Sequence, residues 1–330
     1  MAKTKRGSLI TLVLLAALPF CACGDSDQIK KVKLRAASGP EEAGAGLYEE
    51  SPLRISIAAM LSPKSSLVTY GELVQYIGKR LNSPVKVVFT KKYAETNDSL
   101  RNSGSDIAFI CTGAYLAARE GSRSVPNGTG QYNSSSKPLS GDGFPLDIIA
   151  VPVVYGETVY NSVIVAAKNN PARGLRDLKG KTFAFTDEFS LTGHLYIQAR
   201  LAELKLTSSF FSGTIFTGSH DNSIKSVAEG FSDAASVDNL IYQALLRRGD
   251  FHAKQLKIIE KSPPFGIPPV VARHGLEAGL KVRVRAILLA MHKDEDGARI
   301  LKKISIERFV TPAPELYSYA EKVYKGLDIK

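Results

Sequence analysis

The sequence is poor in the residue types that most often carry metal or enzyme chemistry. Its 330 residues include no tryptophan, three cysteines and five histidines, and the histidines are scattered. It contains no G-x-S-x-G elbow, no P-loop, no H-E-x-x-H pair and no closely spaced set of cysteines and histidines. We therefore expect neither an enzyme nor a bound metal or other cofactor.

Long hydrophobic runs are also lacking. The apolar run from Leu9 to Ala22 falls short of the roughly 20 residues that a membrane-spanning helix needs. Lys3, Lys5 and Arg6 give this run a positively charged start. The pattern therefore predicts an export signal over residues 1–22.

The cysteines indicate how the exported protein is attached to the membrane. A small residue, Ala22, precedes Cys23, as in bacterial lipoprotein signals whose cysteine thiol takes the lipid. Phe20 and Cys21 depart from the usual lipoprotein pattern, so a plain secretory signal is the alternative. If Cys23 is acylated, Cys111 is a lone thiol and the mature protein has no intramolecular disulfide. The polar residues 23–52 predict a flexible tether that holds a domain off the membrane.

The charge balance is basic. Lysine and arginine total 43 against 32 acidic residues, which gives a formal net charge of +11. Such an excess suits a nucleic acid, an acidic membrane surface or an anionic ligand. Because the basic residues are spread along the chain and no nucleic-acid-binding motif is present, we expect no nucleic-acid partner.

Strand-like and helix-like segments alternate from Ile55 onwards, which indicates an α/β protein long enough for two lobes. Helical spacing is clearest at Leu73, Val74, Ile77 and Leu81. Strands are predicted at Arg54 to Met60, Val85 to Phe89, Asp106 to Ile110, Ile148 to Val154, Ser162 to Ala166, Thr182 to Phe185, Thr214 to Phe216, Ala234 to Val237 and Lys257 to Ile259.

Two segments interrupt this alternation. Residues 121–144 are rich in serine, glycine and asparagine, which predicts a mobile surface insertion. Ser262 to Pro269 contains four prolines, which restrict φ and favour an extended crossover between lobes.

Two turns have the composition of an anion cradle. Ser190, Thr192 and Gly193 follow a predicted strand and precede a helical stretch, where free amides and hydroxyls favour negative charge. Thr112 and Gly113 have the same setting after the strand that ends near Ile110. The alternative for the first turn is that Ser190 or Thr192 merely caps the helix. Two such helix starts that face each other would bind a small tetrahedral oxyanion.

A third candidate pairs His220 with Asp238. His220 lies in a turn after a strand and could donate to an anion, and Asp238 could accept a hydrogen bond from a protonated P–OH group. A carboxylate repels an anion unless a proton lies between them, so Asp238 would select a protonated ligand. The alternative is that Asp238 caps the helix from Asn239 and that His220 is a surface turn residue.

Together these residues resemble the periplasmic substrate-binding proteins of the phosphate/phosphite/phosphonate ABC-transporter family. The resemblance covers roughly residues 53–325, without the insertion. The matching stretches are Ala59 to Ser62, Lys92 to Glu95, Asp106 to Gly113, Asp177 to Lys181, Phe189 to Gly193, Gly218 to Asn222 and Glu260 to Pro264.

The resemblance implies a type II periplasmic-binding-protein fold, in which two α/β lobes joined by two crossovers close on an anion. Lobe one would combine residues 53–155 with 265–330, and lobe two would span 156–264. The resemblance also implies a set of ligand-binding residues, in which Tyr93 donates its phenol. The set is Tyr93, Thr112, Gly113, Ser190, Thr192, Gly193, His220 and Asp238.

Three positions depart from the family pattern. Leu191 removes one donor from the cradle, and Ile110 stands where some members carry an aromatic residue. Ile267 stands where members that bind aminoalkylphosphonates can carry an aspartate for the ammonium group. We therefore expect a ligand without an amine, such as phosphite or methylphosphonate.

The function that the resemblance implies is capture of a small phosphorus oxyanion in the periplasm by a lipid-anchored protein, and its delivery to an ABC permease and ATPase. One rival is a sensor that reports the ligand to a membrane kinase or receptor. A second rival is an exported phosphatase or transferase, for which Ser190 would have to be a nucleophile. The sequence does not rank phosphite, phosphate, phosphonates and sulfate.

Overall fold

The structure, a computed structural model, describes residues 51–121, 143–206 and 208–327. The predicted signal 1–22, the lipidation site Cys23 and nearly all of the predicted tether lie outside the described residues. The same holds for all but the ends of the predicted insertion. In the described part of the chain, no helix is both long and apolar enough to cross a membrane.

The strands are short and mostly buried. In chain order they are β1 Leu53–Ile57, β2 Val85–Phe89, β3 Ile107–Phe109, β4 Leu146–Val153, β5 Val159–Tyr160, β6 Ser162–Ala167, β7 Thr182–Phe185, β8 Gly213–Phe216, β9 Ala234–Asp238, β10 Leu256–Lys261, β11 Phe265–Gly266, β12 Val270–Arg273 and β13 Arg308–Val310.

The helices lie between these strands. They are α1 Pro63–Leu81, α2 Tyr93–Arg101, α3 Thr112–Glu120, α4 Tyr196–Glu203, α5 His220–Ala228, α6 Asn239–Arg247, α7 Ala278–Ala290, α8 Glu295–Lys303 and α9 Ser318–Lys325. Helix α1 shows how the sequence directs them. Pro63 suits its first turn, Asn82 ends it in a left-handed conformation, and the predicted stripe that includes Leu73 and Ile77 is buried.

The strands form two main sheets in the described residues. The first sheet has the order β13-β4-β12-β3-β1-β2, with β1 parallel to β2 and β3 and with β12 antiparallel to β3 and β4. The second has the order β10-β6-β9-β7-β8, with β7 parallel to β8 and β9. We call the parts built on these sheets the first lobe and the second lobe.

Two short strands mark where the chain passes between the sheets. β5 leads from the first sheet to the second, β11 leads back, and the two pair antiparallel, with Phe265 opposite Tyr160. The predicted type II periplasmic-binding-protein fold is therefore confirmed. We retain the division into residues 53–155 with 265–330 and 156–264 as a proposal.

Candidate anion-binding site

The cradle in the second lobe follows the carboxyl end of β7. One turn of π-helix, Leu191–Leu195, leads directly into α4. The Ser190 Oγ accepts a hydrogen bond from the Gly193 amide at 3.0 Å, so Ser190 caps the helix, as the alternative interpretation predicted. Since this bond uses Oγ as an acceptor, the Ser190 hydroxyl hydrogen is still available to a ligand.

Buried serines hold the cradle in place from the sheet beneath it. The hydroxyls of Ser162 and Ser236, on β6 and β9, both donate to the Thr192 carbonyl, at 2.7 Å and 2.6 Å. Gly193 must be glycine, because a Cβ there would lie 2.5 Å from the Thr186 side chain. The cradle is therefore fixed before any ligand arrives.

The matching turn in the first lobe meets this cradle directly. A Cβ on Gly113, at the start of α3, would lie 2.2 Å from the Phe189 carbonyl oxygen. Burial raises the pKa of the Cys111 thiol, and the nearby backbone amides of Leu191, Gly113 and Ala114 partly offset this rise. Amides from two helix starts thus converge on one point. The Thr112 hydroxyl donates a hydrogen bond to the Gly266 carbonyl at 2.8 Å.

Three hydroxyl groups of the predicted or neighbouring residues are buried without an ordinary hydrogen bond. In the described part of the chain, the hydroxyls of Tyr93 and Thr192 have no partner, and that of Tyr160 has none of ordinary geometry although it lies near the Thr112 and Cys111 side chains. Both phenols interact electrostatically with Cys111 and Asp238, so the four side chains belong to one region of the molecule. Burial raises the pKa of both phenols well above the usual value, so they remain protonated donors.

His220 is buried and neutral. Its Nδ1 accepts a hydrogen bond from the Asp238 amide at 3.1 Å, which places the ring hydrogen on Nε2. Burial lowers the pKa of His220 to about 3. The alternative that His220 is a surface turn residue is therefore wrong, because only 1% of its surface is exposed.

Asp238 is buried at the start of α6. One carboxylate oxygen, Oδ1, accepts from the Leu240 amide at 2.7 Å and the Ile241 amide at 3.3 Å, so the capping alternative is present. Burial raises the pKa of Asp238 to about 7. The carboxyl group therefore exchanges its proton near neutral pH, which also suits the role of sharing a proton with an anion.

The lobes also hold each other through carboxylates at helix starts. Asp221 of the second lobe accepts from the Ser62 amide at 2.9 Å, immediately before α1. Asp187 accepts from the Tyr93 amide at 3.1 Å, at the start of α2. Both carboxylates lie where a helix dipole favours negative charge. The structure is therefore that of a closed cleft.

The predicted site residues mostly lie together. Gly113 of the first lobe meets the cradle at Phe189 and Leu191, and the Asp238 amide donates to His220. Tyr93 and the additional residue Tyr160 both interact with Cys111 and Asp238. Tyr160 was not predicted, because β5 has only two residues and shows no periodicity. In the described part of the chain, no group of three or more histidine, cysteine or acidic side chains could hold a metal ion.

Comparison with known proteins identifies the family. Residues 55–317 match the profile described as "ABC transporter, phosphonate, periplasmic substrate-binding protein". The chain belongs to this family. The predicted resemblance is confirmed, and the family is one of ligand carriers rather than enzymes. Its members are periplasmic or otherwise extracytoplasmic.

Members of the phosphonate-binding family with curated names are identical to this chain at about a quarter of the aligned residues. The Phosphate-import protein PhnD of Mycolicibacterium smegmatis is 27% identical over 238 residues, covering 69% of this chain and 68% of that protein. The Phosphonates-binding periplasmic protein of Escherichia coli is 25% identical over 264 residues, covering 78% and 71%.

A solved family structure shares the fold. PhnD1 from Prochlorococcus marinus, in complex with methylphosphonate, superposes with a TM-score of 0.70 and 19% identity. The superposition covers 84% of this chain and 98% of that structure.

Proposed function

We propose that this family member captures a small phosphorus oxyanion outside the cytoplasmic membrane and delivers it to an ABC permease and its ATPase. We further propose that a lipid on Cys23 anchors it to the membrane. The names of the relatives from Mycolicibacterium smegmatis and Escherichia coli, which refer to phosphate and phosphonates, support this class of ligand.

One observation carries the proposal: the buried hydroxyls of Tyr93, Tyr160 and Thr192 lack an ordinary hydrogen-bond partner among the described residues. Leaving a buried hydroxyl without a partner costs about 1–3 kcal/mol, so three such groups are explained best by a bound acceptor. An oxyanion accepts several hydrogen bonds at once, and donors around it need no formal charge. We assign the site to Tyr93, Thr112, Gly113, Ser190, Thr192, Gly193, His220 and Asp238, and we add Tyr160.

Thermal unfolding of the purified full chain with phosphite, methylphosphonate, phosphate and sulfate tests this function. A ligand at 100 times its Kd stabilises the folded state by about 2.7 kcal/mol, a clear shift in melting temperature. We expect a phosphorus oxyanion to produce the shift and Ser190→Ala to remove most of it. Ser318→Ala, on an exposed position of α9, serves as the control and should leave the shift unchanged. If none of the four ligands raises the melting temperature, the assigned function is wrong.

The unpartnered phenols make a separate prediction. Tyr93→Phe and Tyr160→Phe should each weaken oxyanion binding about tenfold or more, because a charge-assisted hydrogen bond is lost. Neither change should lower the melting temperature of the unliganded protein, since each removes a hydroxyl without a partner among the described residues.

Tyr242→Phe is the matched control for these variants. The Tyr242 hydroxyl donates to the Leu256 carbonyl at 3.0 Å, remote from the cradle in the core of the second lobe. Its loss should lower the melting temperature by a few degrees and leave oxyanion affinity unchanged. Calorimetric titration measures the oxyanion affinity of the three variants, and thermal unfolding measures their melting temperatures. Unchanged affinity in both Tyr93→Phe and Tyr160→Phe would show that neither phenol donates to the oxyanion.

A further inference from the structure

An apolar cavity adjoins Asp238, between the first lobe and α6. Its volume is about 120 Å³. Its walls include Met60, Phe109, Ile241, Ala244, Ile267 and Phe309. Among the described residues that line it, Asp238 is the only acidic one and Arg248 the only basic one. Arg248 is exposed, and its guanidinium donates to the Lys303 carbonyl at 3.1 Å, across the two lobes.

Asp238 connects this cavity to the oxyanion site. Asp238 lines the cavity, and its backbone amide donates to His220 Nδ1 at 3.1 Å. Met60, also in the cavity wall, accepts from the His220 amide at 3.1 Å. The Asp238 carboxylate also interacts electrostatically with the Tyr93 and Tyr160 phenols. An oxyanion held beside Asp238 therefore has the cavity next to it. A substituent on phosphorus can enter the cavity without leaving the cleft.

The chemistry of the walls selects the substituent. The only carboxylate among the described lining residues, Asp238, is assigned to the oxyanion, so an ammonium group would face mainly the hydrocarbon of residues such as Ile267. An apolar group gains from leaving water for such walls. A cavity of about 150 Å³ with similar walls holds benzene, so about 120 Å³ suits a slightly smaller hydrocarbon.

We propose that the ligand is an organophosphonate whose apolar group, about three to five carbons long, occupies this cavity while its oxyanion binds the cradle. This inference rests on the proposed function and narrows its ligand class. Phosphite and phosphate have no group for the cavity and are weaker ligands.

Calorimetric titration of the purified full chain with phosphite, with phosphate and with methyl-, propyl-, butyl- and octylphosphonate tests the inference. Each buried methylene should strengthen binding about fourfold, so butylphosphonate, with three more methylenes, should bind about 60-fold more tightly than methylphosphonate. The additional carbons of octylphosphonate exceed the cavity, so octylphosphonate should bind no more tightly than butylphosphonate.

Two results distinguish failure of this inference from failure of the proposed function on which it rests. Affinity that stays level or falls from methyl- to butylphosphonate overturns the inference alone, because the oxyanion site still binds. No binding by phosphite, phosphate or any phosphonate overturns the proposed function, and the inference with it.

A cavity-filling variant makes the test specific to these walls. Ala244→Leu narrows the cavity, and Gln243→Leu adds the same side chain on an exposed position of the same helix. Ala244→Leu should weaken butylphosphonate binding about tenfold and leave methylphosphonate binding within about twofold. Gln243→Leu should change neither. An equal loss for both ligands in Ala244→Leu, or no loss for either, overturns the location of the substituent, and retained methylphosphonate binding shows that the variant is folded.

Discussion

Replacing Gly113 by alanine should abolish tight oxyanion binding although both lobes still fold. The added Cβ would lie 2.2 Å from the Phe189 carbonyl oxygen and 2.7 Å from the Leu191 nitrogen. Both are backbone atoms of the other lobe and cannot rotate away. Relief therefore requires the lobes to separate by more than about 1 Å at this contact.

Separation at Gly113 affects every donor that reaches the ligand across the cleft. Hydrogen bonds weaken steeply as distance and angle deteriorate, and a charge-assisted bond contributes about 1.5–3 kcal/mol. Losing one or two of them corresponds to affinity about 100-fold weaker. Calorimetric titration measures this loss, and small-angle scattering should show that the ligand no longer compacts the protein.

Gly71→Ala is the matched control. Gly71 lies in α1, and a Cβ there would meet only the Leu67 side chain at an ordinary 3.8 Å. This change should leave affinity unaltered and slightly stabilise the helix. Wild-type affinity in Gly113→Ala would contradict the closed cleft as the binding state.

The sequence predicted the sheets where strand and helix patterns alternate cleanly. The predicted strands Val85 to Phe89 and Thr182 to Phe185 coincide with β2 and β7, because each run of β-branched and aromatic residues ends at a clear turn. The strands β12 and β13 were not predicted. Each has four residues or fewer, and β12 directly follows the proline-rich segment, whose pattern indicates a crossover.

The site was predictable only in part for a related reason. Ser190 and Thr112 follow predicted strands, so their turns show the composition of helix starts. Their meeting at the Cys111 sulfur depends on the packing of two lobes, which no local pattern encodes. The same holds for Asp221, which meets Ser62 from 159 residues away. The contacts between the two lobes could therefore be established only from the structure.

The pH dependence of binding should depend on Asp238. Burial raises the pKa of its carboxyl group to about 7, so below that pH the group donates a proton to a ligand oxygen. Above it, carboxylate and oxyanion repel each other unless the ligand brings the proton. Affinity for methylphosphonate should therefore fall as pH rises from 6 to 9.

The same shift affects the stability of the unliganded protein. The pKa of Asp238 is raised on folding, so the folded state holds a proton that the unfolded chain has already lost between about pH 4 and 7. Its stabilising contribution is complete below about pH 4 and is lost as pH rises through 7. At pH 8 the buried carboxylate therefore lowers the free energy of unfolding by about 1–4 kcal/mol. This range follows from 1.36 kcal/mol for each unit by which folding raises the pKa, reduced by partial relaxation of the site.

Asp238→Asn separates these effects from the capping role of the residue. The amide oxygen can still accept from the Leu240 and Ile241 amides, but the side chain no longer titrates. At pH 8 the unliganded variant should be more stable than the wild type by about 1–4 kcal/mol, and the difference should vanish below about pH 4.

Methylphosphonate affinity of Asp238→Asn should also change less with pH than that of the wild type, because the amide is a donor at every pH. Titration of the ligand itself is common to both proteins and cancels in this comparison. Asp187, whose pKa burial raises to about 6, also remains in both proteins. Parallel loss of affinity from pH 6 to 9 in the two proteins would show that the shared proton does not reside on Asp238.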